Sequence, residues 1–192
     1  MRKLLLCVPM IILLSGCFGM ATVGNQTEEL TLAVRADYLA LRVWAADVAL
    51  TADYGQRVYQ YRLAATQSGE ELVLALSEPE TVAGIIARLK DGDSMLEYDD
   101  LWLETGPLNP DGLTPVACIP ALIEAAKSGY IVACSLEDGL LRLDCGDPEG
   151  LPGAGIETTL WFDVDSYAMV RGEISVDGFR AILCEFSNFT KG

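Results

Sequence analysis

The chain has 192 residues, with 13 Lys and Arg against 28 Asp and Glu, no His, and 51% hydrophobic side chains. A net charge of −15 excludes nucleic acid as a partner, since phosphate binding relies on clustered Lys and Arg. It equally excludes adsorption to an anionic lipid surface through charge alone. Without His there is no imidazole base, no Ser-His-Asp or Cys-His arrangement and no ordinary zinc site, so no catalytic residue, metal or cofactor is assigned.

Residues 1–16 open with Met-Arg-Lys and continue as an aliphatic run, Leu4 to Leu14, broken only by Cys7 and Pro9. A basic start, a dozen apolar residues and small residues before a cleavage point make a secretory signal. The run is shorter than the ~20 residues a permanent membrane helix needs. Leu14-Ser15-Gly16-Cys17 resembles a bacterial lipobox, in which the sulfur of Cys17 is lipidated and Cys17 becomes the new N-terminus. The expected location is therefore extracytoplasmic, anchored to the bacterial cell membrane. Each buried CH₂ of the lipid contributes about 0.8 kcal/mol, enough to hold a multiply acylated Cys despite the acidic protein. Once the leader is removed, 11 basic and 28 acidic residues remain.

Residues 17–26 read as the lipidated N-terminus and a short tether, and residues 27–192 as one domain. Asn25, with Glu28 three residues later, has capping-box spacing and predicts a helix from about 26 to 41. Leu30, Ala33, Val34 and Leu41 share one face of it. The period then changes to two: apolar side chains fall on even positions from Trp44 to Tyr54, and on Tyr59, Tyr61, Leu63 and Ala65 after a turn at Gly55. Strands follow at 72–76, 85–89, 95–98 and 101–105, with a turn at Asp91-Gly92-Asp93. Residues 106–112 break the sheet with two Pro and two Gly. A second helix is predicted from Pro120 to Ser128, stopped at Gly129. Strands resume at 130–137, 139–145, 157–163, 168–176 and 178–189, with hairpin turns at Asp138-Gly139 and Asp177-Gly178. About eleven antiparallel strands with one leading and one inserted helix make an α+β plan.

This order, the stretch from Glu78 to Leu108, and the segments Thr159–Asp163 and Val170–Ile174 resemble the LolA/LolB lipoprotein-sorting fold and its lipoprotein relatives in single-membrane bacteria. The resemblance implies a curved sheet, an incomplete β-barrel, whose concave apolar face is covered by the helices and in several members accepts acyl chains. On this chain the wall falls to Trp44, Val48, Leu50, Tyr59, Tyr61, Leu63, Leu72, Leu74, Leu76, Ile85, Leu160 and Phe162. Two short helices leave part of such a face uncovered, which makes a cleft for a lipid or acyl chain. The alternative is an envelope adaptor or dimerising scaffold with no small ligand, bound to a protein partner or to a second copy.

Four further cysteines, Cys118, Cys134, Cys145 and Cys184, can oxidise outside the cytoplasm and allow three complete pairings. A turn at Asp138-Gly139 puts Cys134 and Cys145 diagonally on one face, with Cys184 as the competing partner. Carboxylate pairs such as Asp91/Asp93, Glu97/Asp99/Asp100, Asp144/Asp147 and Asp163/Asp165 lack the spacing of a calcium loop and read as solvated turns.

Overall fold

The structure, a computed structural model, describes residues 18–192, with side chains from residue 26 onward. The leader and Cys17 lie outside the described residues. The chain runs through helix α1 (Phe18–Ala40) into strands β1 (Val43–Asp53), β2 (Val58–Ser68), β3 (Glu71–Glu78), β4 (Ile86–Lys90), β5 (Asp93–Tyr98) and β6 (Leu101–Pro107). Helix α2 (Cys118–Ser128) precedes β7 (Ile131–Glu137), β8 (Leu140–Cys145), β9 (Ile156–Asp163), β10 (Met169–Val176) and β11 (Phe179–Lys191).

All eleven strands form one antiparallel sheet in the order β6-β5-β4-β3-β2-β1-β11-β10-β9-β8-β7. Two meanders are thus joined at the centre by β1 and β11, whose register runs from Trp44↔Lys191 to Ala52↔Ile182. The outer strands β6 and β7 do not pair with each other, so the barrel stays incomplete. Register shifts at Ala45/Asp47, Arg62/Leu63, Met169/Arg171 and Ile174/Ser175 add local twist, which curves the sheet. Asp138-Gly139 and Asp177-Gly178 turn their hairpins with both residues at positive φ, the geometry a two-residue loop between twisted strands demands.

Alternation decides which face is inner. Trp44, Ala46, Val48, Leu50 and Ala52 are all buried, and they join one continuous core with Leu141, Leu143, Leu160, Phe162, Ile174 and Ile182. The convex face carries the charge: Arg88 lies between Glu71 and Glu97, and Arg142 between Glu137 and Asp144. There Trp161 is packed beneath the guanidinium groups of Arg171 and Arg142, 4.7 and 5.4 Å from its ring centre.

Both helices sit on the concave side and are tied to the β7–β11 half. Tyr38 of α1, fully buried, accepts a hydrogen bond from the Met169 N–H at 2.9 Å and sets its ring edge-on to Phe162. Burial pushes its phenol far above the ordinary range, so it stays neutral. Lys191 reaches Asp37 and the carbonyls of Ser166 and Tyr167. Arg35 donates to the carbonyls of Lys127 and Gly129, satisfying the C-terminal end of α2 and meeting its dipole with a positive charge.

Helix α1 is already formed at Phe18, the first described residue, about eight residues before the position that the Asn25 signal predicts. The intervening residues contain no proline, and extending an existing helix costs far less than starting one. Asn25 therefore lies inside the helix. Its C-terminal part and α2 fall where expected, with Pro120 in the first turn of α2.

A candidate binding surface on the open wing

Strand register sorts the inner face into rows. One row runs Ala65↔Leu74↔Ala87↔Leu96↔Leu103 from β2 to β6. Exposure along it climbs from buried Ala65, Leu74 and Ala87 through half-buried Leu96 to Leu103 at 62%. The adjacent row begins with Leu63↔Leu76, both against the core, and emerges at Tyr98↔Leu101, 54% and 73% exposed. The concave face is closed near β1 and opens to solvent toward the β6 edge.

Of the twelve wall residues expected from the sequence, Trp44, Val48, Leu50, Leu63, Leu72, Leu74, Leu160 and Phe162 lie buried in the closed core. Tyr61 and Leu76 are partly buried at its margin, Ile85 is half-buried, and Tyr59 is exposed. These four lie toward one end of the wing, where β2 begins, β3 ends and β4 begins. The open surface continues through Leu96, Tyr98, Leu101 and Leu103, which the sequence placed in strands without assigning them to the wall. The triplet Leu101-Trp102-Leu103 is apolar on both faces, so alternation gave no sign of which side points inward. Pairing with β5 supplies that sign: Leu101 and Leu103 share the concave side, and Trp102 lies opposite Glu97 on the convex one.

Burial pushes the Tyr61 phenol up, with Tyr59 adding to the shift, and the same cause raises Tyr54. The surface is uncharged at neutral pH apart from its border, where Asp99 and Asp100 form the β5–β6 turn. A mixed polar cleft of about 710 Å³ lies past the end of β3, lined by Val58, Gln60, Arg62, Glu78 and Pro79 together with the expected wall residues Tyr59 and Tyr61.

Asp144, Asp147 and Asp163 are engaged locally. Asp163 accepts hydrogen bonds from the Ser166 hydroxyl at 2.7 Å and the Ser166 N–H at 2.8 Å, which hold its carboxyl below the usual range. Among the described residues no group of three His, Cys, Asp or Glu is disposed to hold a metal ion. Nor is any described helix long and apolar enough to cross a membrane. The four cysteines are separate thiols; Cys134 is half-buried on β7, and burial pushes Cys145 up to about 11. Cys184 faces Cys118.

An open eleven-stranded half-barrel with a leading and an inserted helix on its concave side is the α+β architecture that the element order and its resemblance predict. The structure is similar to an uncharacterized conserved protein from Thermus thermophilus, with a TM-score of 0.52, 7% identity, and 87% of this chain and 88% of that chain covered. It is also similar to a LolA superfamily protein from Nitrosomonas europaea (TM-score 0.44, 11% identity, 83% and 92% covered). A third likeness is to the Mycobacterium tuberculosis lipoprotein LppX (TM-score 0.40, 16% identity, 84% and 95% covered). At 7% identity the first of these likenesses is one of fold alone. No protein-family model matches the chain, and no curated protein matches it in sequence.

Proposed function

We propose that the protein is a non-enzymatic lipoprotein of the bacterial envelope, held outside the cell membrane through lipidated Cys17, that binds an apolar ligand such as an acyl chain on the open wing of its half-barrel. The observation that carries this is the rise in exposure from Leu74 through Leu96 to Leu103 along a single concave row. Aliphatic and tyrosine side chains there are fixed by a rigid sheet and left without a covering helix. Covering about 100 Å² of apolar surface yields roughly 2.5 kcal/mol. The carboxylates of Asp99 and Asp100 at the border of this surface repel anionic headgroups, which favours a single neutral or zwitterionic chain over an anionic membrane.

Native mass spectrometry of the protein released from its own membrane should show one co-purified acyl lipid. Titration of the delipidated protein with a fluorescent single-chain zwitterionic lipid, a lysophosphatidylcholine, should give binding that Leu103→Asp weakens at least tenfold while the melting temperature stays within a few degrees. Protein that carries no lipid and takes up none overturns the reading. The anchor has its own check: Cys17→Ser should move the protein from the membrane to the soluble fraction, and continued membrane retention would refute lipidation at that residue.

A second reading rests on Trp102, 55% exposed on the convex side of edge strand β6, where a concave ligand leaves it uncovered. A basic, apolar segment of an envelope protein would pair with this acidic edge. A stoichiometric protein partner in place of lipid in the same mass spectrum would favour this adaptor.

A further inference from the structure

Cys118 is the first residue of α2, and Cys184 lies in the middle of β11 on the concave face, paired with Leu50 on one side and Gly172 on the other. Their sulfurs are 3.8 Å apart, and both side chains are fully buried. The approach has a local cause. A Cβ at Gly172 would stand 2.7 Å from Leu122 Cδ1, so the absence of a side chain lets α2 settle onto the sheet there. Leu122 is one helical turn after Cys118 and shares its face, so the same contact carries Cys118 down onto Cys184.

Of the six pairs that these four cysteines can form, we infer that Cys118 and Cys184 form a disulfide that staples α2 to the central strand of the half-barrel. Bonding distance requires the sulfurs to close by about 1.8 Å, a shift within reach of rotation about the two Cα–Cβ bonds. The chemistry is exchange with an external disulfide, R–S–S–R, supplied by a small-molecule disulfide or a disulfide-donating oxidoreductase of the envelope. One cysteine thiolate attacks R–S–S–R to give a mixed disulfide and release RS⁻. The second thiolate then displaces the remaining RS⁻, forming the Cys118–Cys184 bond. Two cysteine protons are released, taken up by the two RS⁻, and two electrons pass from the cysteines to the reagent. Because both sulfurs are sealed in the folded protein, exchange takes place before α2 docks. The staple spans 66 residues of sequence and fixes the helix over the β9–β11 half, leaving the β3–β6 wing as the open part of the concave face. Formation in the cell rests on the extracytoplasmic address proposed above; the pairing itself rests on the packing of α2.

The test refolds the full chain from reduced, denatured protein in a mixture of reduced and oxidised glutathione, then alkylates it in denaturant and maps the peptides. The expected result is a peptide joining Cys118 to Cys184, with alkyl groups on Cys134 and Cys145. Reduction should lower the melting temperature by roughly 5–15 °C, and the double variant Cys118→Ala, Cys184→Ala should lose that sensitivity. Alkyl groups on all of Cys118, Cys134, Cys145 and Cys184 after refolding, or a link between another pair, would overturn the inference. A link in the refolded chain together with free Cys118 and Cys184 in protein taken from membranes would leave the pairing standing and overturn the extracytoplasmic address.

Discussion

Leu74→Asp is expected to unfold the domain at 37 °C. Leu74 occupies the centre of β3, between Ala65 of β2 and Ala87 of β4, and is 1% exposed. Truncating a buried leucine to alanine already costs 2–5 kcal/mol. Aspartate adds the desolvation of a carboxylate in a place where both flanking residues are alanine and no basic side chain faces it from those positions. The combined cost, on the order of 5 kcal/mol or more, takes up most of the 5–15 kcal/mol that a domain of this size possesses. Far-UV circular dichroism and thermal melting would report it as loss of the cooperative transition. A variant that stays folded would show that Leu74 opens onto a cavity, and would extend the binding surface inward to the residues now read as core. The contrast with Leu103→Asp, three strands further along the same row, makes the pair a direct measure of where the concave face passes from core to surface.

That boundary could not be read from the chain alone. Alternation from Trp44 to Ala52 identified the inner side of β1, and every even position there is buried. Asp-Gly pairs located the hairpins, because only a few residue types tolerate positive φ at both central positions. What periodicity reports, however, is which side of a strand is apolar, and not how far a helix reaches across it. Coverage is set by contacts distant in sequence, such as Arg35 on the end of α2 and Tyr38 beneath Met169, and these anchor both helices over the β7–β11 half. Eight of the twelve expected wall residues consequently lie inside the core, while the open surface moves outward to Leu96, Tyr98, Leu101 and Leu103. The approach of Cys118 to Cys184 was hidden for a related reason. Its one trace in the sequence is a glycine, Gly172, within an otherwise ordinary strand, a place where another element often comes close.

Gly112→Ala is expected to lower stability by about 2–4 kcal/mol, combining a left-handed backbone with a packing clash. Gly112 has φ +69° in the irregular segment between β6 and α2, and an added Cβ would stand 2.6 Å from Ala121 Cβ and 2.7 Å from Ile174 Cδ1. The isoleucine end can rotate, but Ala121 Cβ is fixed to the helix backbone, so α2 itself must shift away from β10. Gly92→Ala serves as the control. Its φ of +85° carries the same kind of backbone strain, yet nothing stands within 4 Å of the added Cβ, so it should cost only about 1 kcal/mol. Urea unfolding of the two variants separates backbone strain from packing, and equal midpoints would mean that α2 gives way freely at Gly112. The displacement also carries Cys118, three residues before Ala121, away from Cys184. Gly112→Ala should therefore reduce the yield of the Cys118–Cys184 link on oxidative refolding, whereas Gly92→Ala should leave it unchanged. A helix seated by one glycine in the loop and another in the strand beneath it is thus the common origin of the covered half of the concave face and of the sulfur pair.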